Sequence, residues 1–142
     1  MKIDYFGTVQ RASRKYAQFL NPICEKWDLT KNELDVLLFL GNNPEYDRAA
    51  DIVAHRGMVK SHVSLSVTNL ERRGLLLRTE DPADRRAVRL QLSQEGKAIA
   101  QAGREYQIRF FSGIFSGLSR EDIDFWQKLM EQVCRNIDNM DF

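Results

Sequence analysis

At Gly74 the spacing of apolar residues changes from helical to strand-like. Upstream, Val63, Val67 and Leu70 recur at the three-and-four spacing of a buried helix face over Lys60–Arg73, with Val59 at its edge. Gly74 ends that helix, and Arg72 and Arg73 suit its C-terminal dipole. Downstream, Leu75–Glu80 and Ala87–Leu92 read as two strands. The second alternates, with Val88, Leu90 and Leu92 on one face and Arg89 and Gln91 on the other. Between them Asp81–Arg86 forms a polar hairpin tip.

The flanking segments are helical. Asp4–Trp27 carries Val9, Ala12, Tyr16, Phe19, Leu20, Ile23 and Trp27 at helical spacing, and Pro22 predicts a kink. Thr30-Lys31-Asn32-Glu33 is a capping box. It opens a helix through Leu34, Leu37, Leu38 and Leu40 that Gly41 is expected to stop. After the Asn42-Asn43-Pro44 loop, Asp47 is expected to cap a short helix, which Gly57 breaks. Ser93 caps a long helix whose end is framed by Gly113 and Gly117. Ser119–Asp122 reads as a second capping box, opening a last helix with Ile123, Trp126, Leu129, Met130, Val133 and Ile137. The fold class is therefore mainly α with a small β-hairpin wing, in the order of a winged helix-turn-helix.

At 142 residues and 43% hydrophobic, the chain reads as one domain with a buried core. A net charge of +1 argues against a uniformly basic nucleic-acid binder. The charge is nevertheless segregated. Arg48–Lys97 holds ten basic and six acidic residues, a net of +4, whereas the remainder is at −3. Such division suits one face that meets a polyanion. The longest apolar run, Val36–Leu40, falls far short of the ~20 residues of a membrane span. The first residues show no apolar signal-peptide core, so the expected localisation is cytoplasmic, with no membrane partner. Cys24 and Cys134 are too few for a disulfide scaffold and read as small buried hydrophobes. No Cys/His cluster has metal-ligand spacing, and no phosphate loop or Ser/His/Asp set is visible. No metal, cofactor or enzymatic activity is expected.

Burial of Val63, Val67 and Leu70 turns Lys60, Ser61, His62, Ser64, Leu65 and Thr68 outward. Solvated helix faces usually carry Glu and Lys, whereas Ser, Thr and His are poor helix formers. A short, polar, acid-poor face suits phosphates and base edges, and an exposed Leu65 suits a thymine methyl. At the hairpin tip, Arg85 and Arg86 suit a narrow, strongly negative minor groove. Asp84 would repel phosphate unless it is engaged locally, so its expected role is to fix the wing.

Leu70-Glu71-Arg72-Arg73-Gly74-Leu75, then Arg78, Asp81-Pro82, Asp84-Arg85-Arg86, Leu92-Ser93 and Gly96, resembles the signature of the MarR family of bacterial transcription regulators. Lys60–Ser64 resembles the start of that family's recognition helix. The resemblance implies a single MarR-like domain over 1–142, with a winged-helix lobe at 28–96 and dimerisation helices at 1–27 and 97–142. It implies a homodimer on double-stranded DNA at a pseudo-palindromic operator, a repressor released by a small-molecule effector. An effector pocket would use the first, second and fifth long helices, where Trp27, Phe39 and Tyr106 lie, although each of the three reads as core packing and no ligand residue is assigned. Aromatic residues of the terminal helices (Tyr5, Phe6, Tyr16, Phe19, Trp27, Phe125, Trp126, Phe142) fit an interchain core. Two positions depart from the pattern. Val59 stands where Ser or Thr often caps the recognition helix, so that helix is expected to fray or start late. Arg56 replaces a buried apolar residue and is expected to point at the DNA backbone. Two alternative readings are a winged helix used for protein–protein contact without DNA binding, and a redox-responsive regulator using Cys24 and Cys134.

Overall fold

The computed structural model of the chain describes residues 4–141, with Arg85 described by its backbone alone. The Arg85 side chain and Phe142 therefore lie outside the described residues. Among these residues run α1 (Tyr5–Trp27), α2 (Lys31–Asn42), α3 (Ala49–Asp51) leading into a π turn (Ile52–Arg56), α4 (Lys60–Arg72), β1 (Leu76–Asp81), β2 (Asp84–Leu92), α5 (Gln94–Ile114) and α6 (Arg120–Asp138). None of these helices is long and apolar enough to cross a membrane. The chain divides into two compact units, Met1–Ile108 and Arg109–Phe142.

In the first unit α2 is the hub. The Thr30 hydroxyl accepts from the Glu33 N–H at 3.1 Å, and the Glu33 carboxylate accepts from the Thr30 N–H at 2.9 Å. This satisfies two amides that the helix start would otherwise orphan. From Glu33 to Leu40 every residue of α2 is buried. Around it pack Leu20 and Ile23 of α1, Ile52, Val63, Val67 and Leu70, the hairpin's Leu76, Leu90 and Leu92, and Ile99 of α5. Each large aliphatic side chain taken from water contributes about 1.5–3 kcal/mol.

Gly41 does not stop α2, which continues to Asn42. A β-carbon on Gly41 would lie 2.9 Å from the Ala100 β-carbon, so this glycine permits close approach of α2 to α5. Pro22 sits within an unbroken α1. That helix ends with Asp28 in the left-handed region at φ +51°, and the Leu29 N–H donates to the Cys24 carbonyl at 2.9 Å. α4 ends in the same manner: with Gly74 at φ +72°, the Leu75 N–H reaches the Leu70 carbonyl at 3.0 Å and the Gly74 N–H the Glu71 carbonyl at 3.0 Å. Both ends are Schellman closures.

Arg73 serves a different helix from the one expected. Its guanidinium donates to the carbonyls of Trp27 at 2.5 Å and Asp28 at 2.6 Å, so it caps the C-terminal end of α1. The charge meets the negative end of a helix dipole and orphan carbonyls together. Replacement Arg73→Ala is expected to lower stability by about 1 kcal/mol, as for exposed charge-assisted hydrogen bonds. Urea titration of the two proteins measures this, and an unchanged midpoint would refute the clamp.

Asp47 does not cap the short helix. α3 starts after Arg48, whose N–H donates to the Asp51 carboxylate at 3.1 Å. Asp47 is drawn instead to the hairpin: its carbonyl accepts from the Leu90 N–H at 2.6 Å, and its carboxylate binds Arg89 at 2.8 Å.

The second unit contains α6, opened by the expected capping box of Ser119 and Asp122. The Asp122 carboxylate accepts from the Ser119 N–H at 2.9 Å, and the Ser119 hydroxyl accepts from the Asp122 N–H at 3.1 Å. Phe115 and Trp126 meet edge to face at 4.9 Å between ring centres. No residue of α6 is buried, and Phe125, Trp126, Leu129, Val133 and Ile137 are exposed.

Candidate nucleic-acid interface

α4 has two contrasting faces. Val63, Ser66, Val67 and Leu70 are buried. Ser61, Ser64, Leu65 and Thr68 recur at the same helical spacing on the other side, flanked by Lys60 and His62, and all six are exposed. Leu65 keeps 63% of its surface in solvent. The expected grouping is thus placed together on one open stripe. Val59 makes no side-chain cap, as expected, yet α4 begins at Lys60 without sliding to Ser61. Tertiary burial of Val63 and Val67 holds the first turn in place of a cap.

The approach to α4 is set by the π turn and Gly57, whose φ of +73° suits glycine. Arg56 lies in that turn, and its guanidinium faces Asp35 of α2 at 3.5 Å. Lys31 shares the same carboxylate at 2.5 Å. Asp35 is nearly buried, and an acid there is tolerable only with cations beside it. Arg56 is therefore drawn back to α2 and away from the direction expected of it.

The wing differs from its sequence reading near the tip. The strands run on to Asp81 and begin again at Asp84, leaving only Pro82 and Ala83 in the turn. Arg85 and Arg86 thus belong to β2 rather than to a loop. The register pairs Leu76 with Leu92 and continues to Glu80 with Val88, then shifts so that Asp81 opposes Asp84. β2 carries extra residues at this bulge, which twists the ribbon. Val88, expected inward, keeps the regular register opposite Glu80 but is 39% exposed, whereas Ala87 beside the bulge is buried. Arg86 is exposed, and its N–H donates to the Asp84 carboxylate at 3.0 Å. Asp84 is thus engaged locally by the backbone of its own strand.

The main organiser is Asp81, which the sequence places in the family signature without a role of its own. Its carboxylate accepts from the Ala83 N–H at 3.0 Å, from Arg89 at 3.2 and 3.3 Å, and from Arg48 at 3.4 Å. The Ala83 hydrogen bond foremost, and the two arginines with it, hold its carboxyl below the usual carboxylate range. Arg89, shared with Asp47, is correspondingly held above the ordinary arginine value. Arg78, also in that signature, links the hairpin to α4. From β1 it donates to the Thr68 hydroxyl at 3.1 Å and pairs with Glu71 at 3.1 Å, lying against the exposed stripe of α4.

Other candidates fare differently. Cys24 is half-buried and free, and burial raises its thiol's pKa, which disfavours thiolate. Cys134 is exposed rather than buried. Phe39 belongs to the core, and Tyr106 packs on Phe19 with ring centres 5.5 Å apart. Neither they nor Trp27 line the cleft of about 530 Å³ found between the end of α2, the wing base and α5.

Residues 27–87 match the model of the MarR family. The HTH-type transcriptional regulator PecS of Dickeya dadantii is 27% identical over 135 residues, covering 94% of this chain and 81% of its own. SarZ of Staphylococcus aureus, another HTH-type transcriptional regulator, is 26% identical, covering 96% of this chain and 88% of its own. Among solved structures, a MarR-family regulator from Listeria monocytogenes complexed with 26mer DNA superposes with a TM-score of 0.85. It shares 17% identity, and the match covers 96% of this chain and 90% of that one. The chain has the winged helix-turn-helix fold, and its residues 27–87 match the model of the MarR family.

Proposed function

We propose that this chain is a transcription regulator that binds double-stranded DNA as a homodimer at a pseudo-palindromic operator, acting as a repressor that a small effector releases. The observation that carries the DNA reading is the exposed, acid-poor stripe of Ser61, Ser64, Leu65 and Thr68 on the helix that follows the π turn. A major groove about 12 Å wide admits one such helix. In this reading Ser61, His62, Ser64, Leu65 and Thr68 meet base edges, Lys60 holds phosphate, and Arg86 with Arg85 enters the minor groove. Arg78 is added as a residue that orients Thr68. The DNA-bound Listeria relative supports the docking mode.

Dimerisation is supported by the apolar side chains that α1 and α6 leave exposed, among them Phe6 at 78% and Phe125 at 64%. Stripes of this size on amphipathic helices call for a partner surface. Two recognition helices would then sit about 34 Å apart to reach successive major grooves. An effector acts by binding better to dimers with another spacing.

The test is selection of bound fragments from random duplex DNA, followed by titration of the selected duplex against salt. Affinity should fall steeply, with a log–log slope on the order of −5 for several phosphates neutralised. Ser64→Ala should weaken the selected duplex by about fivefold to tenfold and leave unrelated duplex unchanged, as for loss of a base contact. No selectable duplex, or a flat salt response, would leave a protein–protein role in its place.

A further inference from the structure

The exposed stripe of α4 holds one hydroxyl whose direction the fold has settled. Arg78 of β1 is held from two sides: its Nε pairs with Glu71 at 3.1 Å, and its Nη2 donates to the Thr68 hydroxyl oxygen at 3.1 Å. A Thr within a helix commonly turns its hydroxyl back onto a carbonyl of the preceding turn. Thr68 does not: among the described residues its side chain takes part in that one bond, as acceptor. Arg78 therefore occupies the oxygen on the wing side and leaves the proton to be given outward. Accepting from a cation also polarises the hydroxyl into a better donor. Glu71, the one acid of α4, is neutralised by the same guanidinium. Leu65 lies three residues before Thr68, so the two are neighbours on the helix surface, about 5–6 Å apart between β-carbons. Both side chains are open to solvent.

We propose that Leu65 and Thr68 together read a thymine, Leu65 packing on its C5-methyl and Thr68 donating to its O4, with Arg78 the positioning residue that makes the hydroxyl a donor. The proposal names a base for the DNA reading above and rests on that reading. In the major groove thymine alone sets an acceptor beside a methyl. Guanine offers two acceptors and no methyl, adenine an acceptor beside an amino donor, and cytosine an amino donor. An apolar side chain next to an outward-turned donor matches the first of these patterns. Against the other three it leaves a methyl contact unmade or two donors facing each other. Among the described residues neither Ser61 nor Ser64 is held by a cation in this way, so each is free to donate or accept and neither imposes a choice.

The experiment starts from duplex selected by the full chain and replaces each thymine in turn. Uracil removes the methyl and keeps O4. 5-Methylcytosine paired with guanine keeps the methyl and puts an amino donor where O4 was. At one position of each half-site, uracil should weaken binding about fourfold, the value of one buried methyl, and 5-methylcytosine about tenfold. Leu65→Ala should abolish the uracil effect and keep the 5-methylcytosine effect, and Thr68→Val should do the reverse. Arg78→Met should reduce the 5-methylcytosine penalty to about threefold, because the freed hydroxyl can then accept, and leave the uracil penalty as it was. Arg78→Lys, which keeps a donor, should restore the larger penalty. All these positions are exposed, and unchanged urea midpoints of Leu65→Ala and Thr68→Val verify the fold. Duplex in which no thymine shows both dependences would overturn the pair. So would a Thr68→Val variant that weakens selected and unrelated duplex alike, since the hydroxyl would then be a phosphate contact. A 5-methylcytosine penalty unchanged in Arg78→Met would overturn the role of Arg78. If no duplex can be selected, the DNA reading and this one fall together; if duplex is selected without these dependences, this one falls alone.

Discussion

Gly96→Ala is expected to destabilise the chain by about 3 kcal/mol, the upper range for overpacking a well-packed site. A β-carbon at Gly96 would fall 2.1 Å from the Leu75 carbonyl oxygen. That oxygen is main chain, and it already accepts from the Ser93 N–H at 3.1 Å. Gly96 also donates its N–H to the Ser93 hydroxyl at 3.1 Å, so the clash strikes the cap of α5 and the strand entering the wing together. No rotamer change relieves it, because both partners are backbone. The melting temperature should drop by roughly 10 °C for a domain of this size. Gly113 supplies the control. It lies in α5 with nothing within 4 Å of its would-be β-carbon, so Gly113→Ala should be neutral or stabilising by up to ~1 kcal/mol. Calorimetry of both variants decides the matter: equal effects would show that helix propensity, and not the Leu75 contact, governs these positions.

Gly96 illustrates what the sequence made legible and what it hid. Local rules read well. The capping boxes at Thr30 and Ser119, the glycine ending α4, and the change from helical to alternating spacing each depend on a few neighbouring residues. The open stripe of α4 followed from the same periodicity. What escaped was set by partners far along the chain. Gly41 reads as a helix stop until Ala100 is seen against it. Arg73 reads as neutralising its own helix end, yet it reaches carbonyls 45 and 46 residues away. Asp47 reads as a cap because Asp is a common capping residue, but Arg89 competes for its carboxylate and wins. Val88 shares the face of Leu90 and Leu92 yet lies outside the core they join, and a strict alternation cannot say where along a strand the core ends.

The wing should be where single substitutions cost most in DNA affinity. Arg86→Ala is expected to weaken the selected duplex by about tenfold to a hundredfold, in line with loss of a specific groove contact of 1–3 kcal/mol. Asp81→Asn should approach the same loss without touching DNA. The amide keeps one acceptor for Ala83, but the charge between Arg48 and Arg89 disappears, leaving two cations facing a neutral group. The tip then loses the geometry that presents Arg86. Because both changes act through one wing, the double variant should be little worse than Arg86→Ala alone, a non-additive cycle. Full additivity would mean that Asp81 acts elsewhere. The same carboxylate predicts a pH dependence. Its pKa is lowered in the folded chain, so its stabilisation of the wing is complete above the ordinary Asp value of about 3.9 and is lost as pH falls through the lowered value. Amide signals of Ala83 and Leu90 should therefore stay constant from neutral pH down to about 4 and move only below it, in the wild type and not in Asp81→Asn.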